Sequence, residues 1–180
     1  MFSPKVLDHA NVIEFKVDQR DMNKFLDTNP NVDIKTVCGK AASMAEDFVR
    51  IAGDKIAPAT IANDTLKSFF AQLKKVNAEF GYRTATEIGR FISLAIDSMG
   101  DDNAVDAAIV QKLLPKLHGS RKKIAPVLEE LWKICGTTED LTDMNAKEVP
   151  ENVKFPLSAD KILRMYKCAI DNGFTSFAEA

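Results

Sequence analysis

The sequence predicts a mainly α-helical protein with one short strand near its amino terminus. In most of the chain, apolar residues recur three and four positions apart, which is the spacing of one face of an α-helix. Glycines follow several of these stretches and mark their ends, as at Gly53, Gly81 and Gly100. The run of β-branched and aromatic residues that is typical of a strand is Asn11–Val17. With 180 residues, of which 46% are hydrophobic, the chain is long enough to bury the core of one domain.

The amino-terminal elements are short. Ser3-Pro4 is a helix-start signal, and it predicts a very short helix through Asp8. The strand Asn11–Val17 follows, Asp18 caps a helix that runs to about Leu26, and Asn29-Pro30-Asn31 forms a turn. One strand cannot form a sheet, because its backbone groups need partners. The expected partners are therefore missing, and we expect them upstream.

Three amphipathic helices follow in the middle of the chain. The first is predicted over Ala41–Ala52 and the second, which carries an apolar face, over Asp64–Phe80. The clearest helix begins with Thr84-Ala85-Thr86-Glu87, a capping box in which each end's side chain satisfies the other's backbone amide. It ends at Gly100, and its apolar stripe consists of Ile88, Phe91, Ile92, Ala95, Ile96 and Met99.

The carboxy-terminal half alternates helices with a long loop. A helix over Ala104–Leu114 is kinked or ended by Pro115, and another helix leads to Cys135 with an uncertain start because of Pro126. Residues 137–156 are polar and lack periodicity, so a mobile loop is expected there. Ser158 caps a last helix through Ile170, and the tail from Phe174 to Phe177 is expected to pack back.

Composition excludes several classes of protein. A net charge of −2 argues against a protein that coats nucleic acid by charge alone. The cysteines, Cys38, Cys135 and Cys168, lie far apart, which favours buried free thiols in a reducing compartment. The chain has no apolar run of the roughly 18 residues that span a membrane. Its first residues have no signal-peptide pattern, so a cytoplasmic protein is expected.

The sequence contains no complete active site. It has no GxxxxGK(S/T) loop that would hold the phosphates of a nucleotide. Neither His9 nor His118 has a cysteine or carboxylate arranged as a metal or nucleophile partner, so no metal site is expected.

One stretch is basic without an intervening acid. It could meet DNA phosphates, a partner protein or an acidic neighbouring subunit. The alternative, which we favour, is an ordinary solvated face. Its members are Lys112, Lys116, His118, Arg121, Lys122 and Lys123.

Several segments resemble one protein family. Met1–Phe15 is similar to the segment just after the sensor-1 motif in McrB-like AAA+ proteins of modification-dependent restriction systems. Glu79–Thr84, together with Glu87-Ile88 and Arg90-Phe91, resembles the sensor-2 helix of that family. The resemblance recurs to the carboxy terminus, in Leu114–Arg121 and in Phe155–Ser158 with Gly173-Phe174.

The resemblance implies a fold and a function. Residues 1–35 would be a remnant of the α/β ATPase core that includes its last strand, and residues 36–180 would be the helical AAA+ lid subdomain. The Walker A and Walker B motifs would precede Met1, so this chain alone would hydrolyse nothing. In the parent protein, the lid would help to hydrolyse ATP or GTP with Mg²⁺. Its partners would be its own amino-terminal AAA+ core, neighbouring subunits of a ring, a McrC-like nuclease and, indirectly, DNA. The alternative is a stand-alone helical module that binds a protein or DNA.

The resemblance also assigns roles to single residues. Arg83 would be the sensor-2 residue that contacts the γ-phosphate, or else it pairs with a surface carboxylate. Tyr82 would stack near the base, or else it is a core residue, which we favour. His9 stands where the family usually has an arginine finger, and this departure puts trans-activation in doubt. The interpretation we favour for His9 is an ordinary surface histidine. Another basic residue, Lys5, could then take the role of the arginine finger.

Overall fold

A computed structural model describes residue 6 and residues 10–31, 33–143 and 148–180. The protein is mainly α-helical, which confirms the general fold class. In the described residues, no helix is both long enough and apolar enough to cross a lipid bilayer. The helices in this part of the chain are α1 (Gln19–Thr28), α2 (Ala45–Gly53), α3 (Asn63–Lys74), α4 (Tyr82–Met99), α5 (Asp101–Ala108), α6 (Arg121–Ile134) and α7 (Pro156–Asn172).

The chain divides into two compact units. The larger one, called the main unit below, comprises Ile56–Ala180 and the amino-terminal segment that ends at Val12. The smaller one is Ile13–Lys55.

The core of the main unit is built from the apolar faces of α3 to α7. The largest fully buried side chains include Trp132, Phe69 and Phe155. In α4, Ile88, Ile92 and Ala95 are buried, as the helical spacing predicts. Met99, the last residue of the predicted stripe, is exposed, because it lies at the end of the helix. The backbone of α4 also touches a preceding loop, where Ala59 N–H donates to Gly89 O at 3.0 Å.

The predicted capping box of α4 is not formed. The helix begins at Tyr82, earlier than Thr84, and Gly81 occupies the N-cap position with no side-chain cap. Thr84 is buried, and the Glu87 carboxylate accepts from Arg83 and Lys112 instead. Two cations compete more strongly for a carboxylate than one backbone amide does.

After α5, the helix changes its winding. Ile109–Leu113 is a π-helical turn in which Leu114 N–H donates to Ile109 O, and a 3₁₀ turn over Leu114–Lys116 follows. Pro115 has no N–H, so Gln111 O receives no bond from it. Val12 N–H donates to Gln111 O instead, at 3.0 Å.

The sheet is small and was missed by the sequence analysis. Strand β1 (His118–Ser120) pairs antiparallel with β2 (Phe174–Ser176), and Gly119 lies opposite Thr175. The expectation that the tail packs back is confirmed, since Thr175, Ser176 and Phe177 are buried. Strands this short carry no periodic pattern that a sequence could reveal.

Helix α7 is capped from another helix. It begins at Pro156, so the predicted cap at Ser158 is wrong. Asp106 of α5 accepts from Leu157 N at 2.7 Å and Ser158 N at 2.8 Å. The buried Ser158 hydroxyl also donates to Asp106, at 2.5 Å.

The predicted strand Asn11–Val17 is not formed. No residue in it belongs to a strand, and Ile13, Phe15 and Val17 are exposed, with Phe15 at 91%. A strand requires a paired strand, and among the described residues only His118–Ser120 and Phe174–Ser176 pair, with each other. Most of the predicted helix Ser3–Asp8 falls outside the described residues.

The smaller unit has no core of its own. Every residue described between Ile13 and Lys55 is exposed. Asp18 caps α1 as predicted, accepting from Arg20 N at 2.7 Å. The predicted helix Ala41–Ala52 starts as a 3₁₀ turn over Ala42–Met44 and continues as α2. Cys38 lies here and is exposed, so the expectation that all the cysteines are buried is wrong, because this unit offers no interior.

Candidate functional site

The predicted sensor residue lies at the start of α4. Arg83 is in the first turn of this helix, and 72% of its side chain is exposed. Its Nε donates to Glu87 Oε1 at 2.8 Å, so it does pair with a carboxylate. Within the described chain, neither Nη group of Arg83 makes a hydrogen bond. The guanidinium is therefore anchored on one edge and open on the other.

Two neighbouring expectations have different outcomes. Tyr82 is 97% exposed, so its interpretation as a core residue is wrong. It occupies the first position of α4. His9 and Lys5, the arginine-finger candidates, lie outside the described residues.

Glu87 joins two cations from different parts of the chain. Its Oε1 faces Arg83, and its Oε2 accepts from Lys112 Nζ at 2.8 Å. The Lys112 side chain is only 8% exposed, whereas the Glu87 side chain is 29% exposed. The carboxylate therefore bridges a buried cation and an exposed one.

A cavity opens beside this bridge. Its volume is about 270 Å³. The π-helical turn supplies Gln111 and Lys112 to its wall, and α4 supplies Glu87. The wall combines amide and charged groups with apolar ones, among them Asn11, Gln111, Glu87, Lys112, Ile88 and Phe91.

The electrostatics keep Glu87 ionised. The hydrogen bond from Lys112, and then the one from Arg83, lower the pKa of its carboxyl below the ordinary value of 4.5, against the opposing effect of burial. At neutral pH the group of Arg83, Glu87 and Lys112 has two positive charges and one negative. The site therefore has a net positive charge, and it is open on the Arg83 side.

The basic stretch does not form one surface. Lys112 and Lys116 are buried, whereas His118 and the first-turn residues of α6 are exposed. His118 Nδ1 lies 3.1 Å from Lys116 O. The exposed part is thus His118 with Arg121, Lys122 and Lys123.

Sequence reasoning missed the importance of Glu87. One signal was available, since Arg83 and Glu87 are four residues apart on a helix and such pairs face each other. The contact with Lys112 spans 25 residues and carries no such signal. In the described part of the chain, no cluster of three or more His, Cys, Asp and Glu side chains could hold a metal ion.

Comparison with known proteins yields one match. The model of a family described as a domain of unknown function, DUF8727, matches residues 31–174. No curated protein and no solved structure matches the chain significantly. Because the matched segment covers most of the sequence, the chain belongs to the DUF8727 family.

Proposed function

We propose that this chain is the lid part of a McrB-like AAA+ nucleotide hydrolase, in which Arg83 contacts the terminal phosphate of ATP or GTP. The observation that carries the proposal is the geometry of Arg83. Its guanidinium stands in the first turn of an 18-residue helix, anchored by Glu87 and open to solvent on its Nη side. An arginine in this arrangement can donate charge-assisted hydrogen bonds to a phosphate.

The location of Arg83 on the helix adds to this capacity. Gly81, at the N-cap position, has no side chain that could cap the first amides of α4. Those amides and the helix dipole favour an anion at this end of the helix. Hydrolysis itself needs a phosphate-binding loop and Mg²⁺, which the resemblance assigns to an upstream core. In this mechanism the lid senses the presence of the terminal phosphate through Arg83, and the chain alone turns over no nucleotide.

The smaller unit supports a function within a larger assembly. It exposes large apolar side chains throughout, including Phe15, Ile34 and Phe48. An exposed apolar surface of this kind marks contact with another protein surface. The resemblance names the partners as the upstream core, neighbouring ring subunits and a McrC-like nuclease acting on DNA.

Phosphate binding by the chain tests the role of Arg83. The probe is inorganic tripolyphosphate, followed through the Nε–Hε NMR signal of Arg83, which is assigned by its loss in Arg83→Ala. We expect a saturable shift of this signal and of the amides at the start of α4. Arg83→Ala should abolish the amide shifts, while Arg90→Ala, in the same helix, should retain them. Equal binding by wild type and Arg83→Ala would refute the role of Arg83.

The DNA upstream of the Met1 codon tests the parent protein. An in-frame extension that encodes a GxxxxGK(S/T) loop and an acidic Walker B strand is the expected result. A stop codon directly upstream, with a ribosome-binding site, would instead favour a stand-alone module.

The second candidate function is a helical module that binds DNA or protein. The observation that favours it is the exposed run Arg121-Lys122-Lys123 in the first turn of α6. Cations at a helix amino terminus oppose the helix dipole, so an anionic partner would stabilise them. Binding to a DNA duplex at two salt concentrations tests this function. Steep weakening with salt and loss in the triple alanine variant would support it, and no binding at low salt would exclude DNA.

A further inference from the structure

We propose that Glu87 occupies an anion site made by Arg83 and Lys112, and that a terminal phosphate binds there by displacing the Glu87 carboxylate. This inference rests on the proposed function, because it concerns the phosphate that Arg83 would contact. It adds Lys112 as a second phosphate ligand and gives Glu87 the role of an internal competitor.

The geometry of the carboxylate carries the inference. Its two oxygens are shared between two cations, with Oε1 and Oε2 each 2.8 Å from a nitrogen. A phosphate also offers separate oxygens to separate donors, so it can make the same two contacts.

The burial of Lys112 points the same way. A lysine ammonium is rarely placed in an interior, because its desolvation is costly unless a partner of opposite charge compensates. Here the partner is Glu87, and Lys112 also lines a cavity of about 270 Å³. An anion can therefore reach Lys112 through the cavity once the carboxylate moves away.

The surroundings suit an oxyanion. Asn11 and Gln111 line the same cavity, and their amide groups can donate hydrogen bonds. Glu87 is the acid in the cavity wall, so its displacement leaves Lys112 and two amide side chains in the wall, with Arg83 beside it. The remaining wall is apolar and includes Ile88 and Phe91, which reduces competition from water.

The site is also connected to the backbone of the amino-terminal segment. Lys112 lies on the π-helical turn, and the adjacent Gln111 O accepts from Val12 N–H. A phosphate that pulls on Lys112 would therefore act on the turn that holds this segment. π-helical turns often occur at functional sites.

The experiment compares tripolyphosphate binding by wild type and Glu87→Gln, with the amide shifts of α4 as the readout. Glutamine keeps the size of the side chain but removes the competing charge. We expect Glu87→Gln to bind roughly three- to tenfold more tightly, because the phosphate no longer displaces a carboxylate from two ion pairs, each of which is worth about a 1.5- to fivefold change in affinity. Glu79→Gln is the matched control, since it removes one exposed charge beside α4 and should change affinity by less than twofold.

Lys112 is tested in the same assay. In the Glu87→Gln background, Lys112→Met should weaken binding severalfold, because the phosphate loses its second ligand. If Glu87→Gln does not fold, Lys112→Met is compared with the double variant Lys112→Met/Glu87→Gln. In the double variant, an apolar and a neutral side chain replace the ion pair of Lys112 and Glu87. The double variant should then bind more tightly than the single one.

The outcomes separate this inference from the proposed function. Arg83-dependent binding that is unchanged or weakened by Glu87→Gln would overturn the inference, and Glu87 would then merely position Arg83. Binding that does not depend on Arg83 in any variant would overturn the proposed function as well.

Discussion

Asp106 is predicted to be the most important polar residue for the stability of the main unit. It lies in α5 and is fully buried, and it accepts hydrogen bonds from the first turn of α7, which is 51 residues away in sequence. The perturbation is Asp106→Ala, which removes the acceptor for Leu157 N and Ser158 N. The Ser158 hydroxyl loses its carboxylate partner too, and Asp106 O remains at 3.5 Å as a poor substitute.

The magnitude follows from the groups left without a partner. A buried N–H without an acceptor costs about 1–3 kcal/mol, and this applies to the amide of the buried Ser158. Loss of a helix cap costs about 1 kcal/mol, and this applies to Leu157 N, which water can reach in part. Together they predict a loss of about 3 kcal/mol in the free energy of unfolding, or about 6–12 °C in Tm for a chain of this size. Asp106→Asn keeps one acceptor oxygen and should lose about half as much.

Urea unfolding followed by circular dichroism at pH 7 measures this loss. The matched control is Asp97→Ala, which removes an exposed aspartate of α4 and should change the free energy of unfolding by less than about 0.5 kcal/mol. If Asp106→Ala were as stable as this control, the interhelical cap would not stabilise the fold and the reasoning would be wrong.

The pH dependence gives a second measurement on Asp106. Burial raises the pKa of its carboxyl above the ordinary value of 3.8, against hydrogen bonds from Ser158 and from the amides of Leu157 and Ser158. At pH values between 3.8 and the raised pKa, this carboxyl binds more protons in the folded state than in the unfolded state. Its contribution to the free energy of unfolding therefore falls as the pH rises through this window. The advantage of wild type over Asp106→Asn should therefore be largest at low pH and shrink through this window. An advantage that grows with pH would contradict the sign.

Two further predictions concern packing and thiol reactivity. Gly89→Ala should lower the free energy of unfolding in urea by about 1–3 kcal/mol, because the new Cβ would lie 2.6 Å from Pro58 Cβ. In the control Gly53→Ala the new Cβ meets nothing within 4 Å, so stability should not change. Equal stability of the two variants would contradict the close approach at Gly89. In native protein at pH 8, Ellman's reagent should modify Cys38 at once and leave Cys135 unmodified, because Cys135 is buried and burial raises the pKa of its thiol. Prompt modification of Cys135 in a Cys38→Ser variant would contradict the buried position.

Local patterns predicted the helices of the main unit well. The spacing of Ile88, Ile92 and Ala95 identified the buried face of α4, because that face packs on a continuous core. Helix ends were less predictable. Glu87 and Ser158 both have the residue type of a cap, yet both bind side chains from other elements. Capping patterns describe a helix in isolation, and tertiary contacts outcompete them here.

The predicted strand shows a different limit. The residues of Asn11–Val17 favour a strand by type, but strand formation depends on a neighbouring strand to share the backbone hydrogen bonds. In the described chain this segment pairs with no strand. Residue type alone therefore does not decide whether a strand forms, because the partner strand is not encoded in the local pattern.

The candidate site was predictable in one part and hidden in the other. Arg83 was proposed from the resemblance to the sensor-2 helix, which rests on a contiguous stretch of sequence. Lys112 was assigned to a basic stretch, because its neighbours in sequence are basic, but it points inward to Glu87. Lys112 lies on the π-helical turn Ile109–Leu113 and lines the cavity. The pairing that defines the site joins residues 25 positions apart, and tertiary packing brings them together, so a charge pattern along the chain does not indicate it.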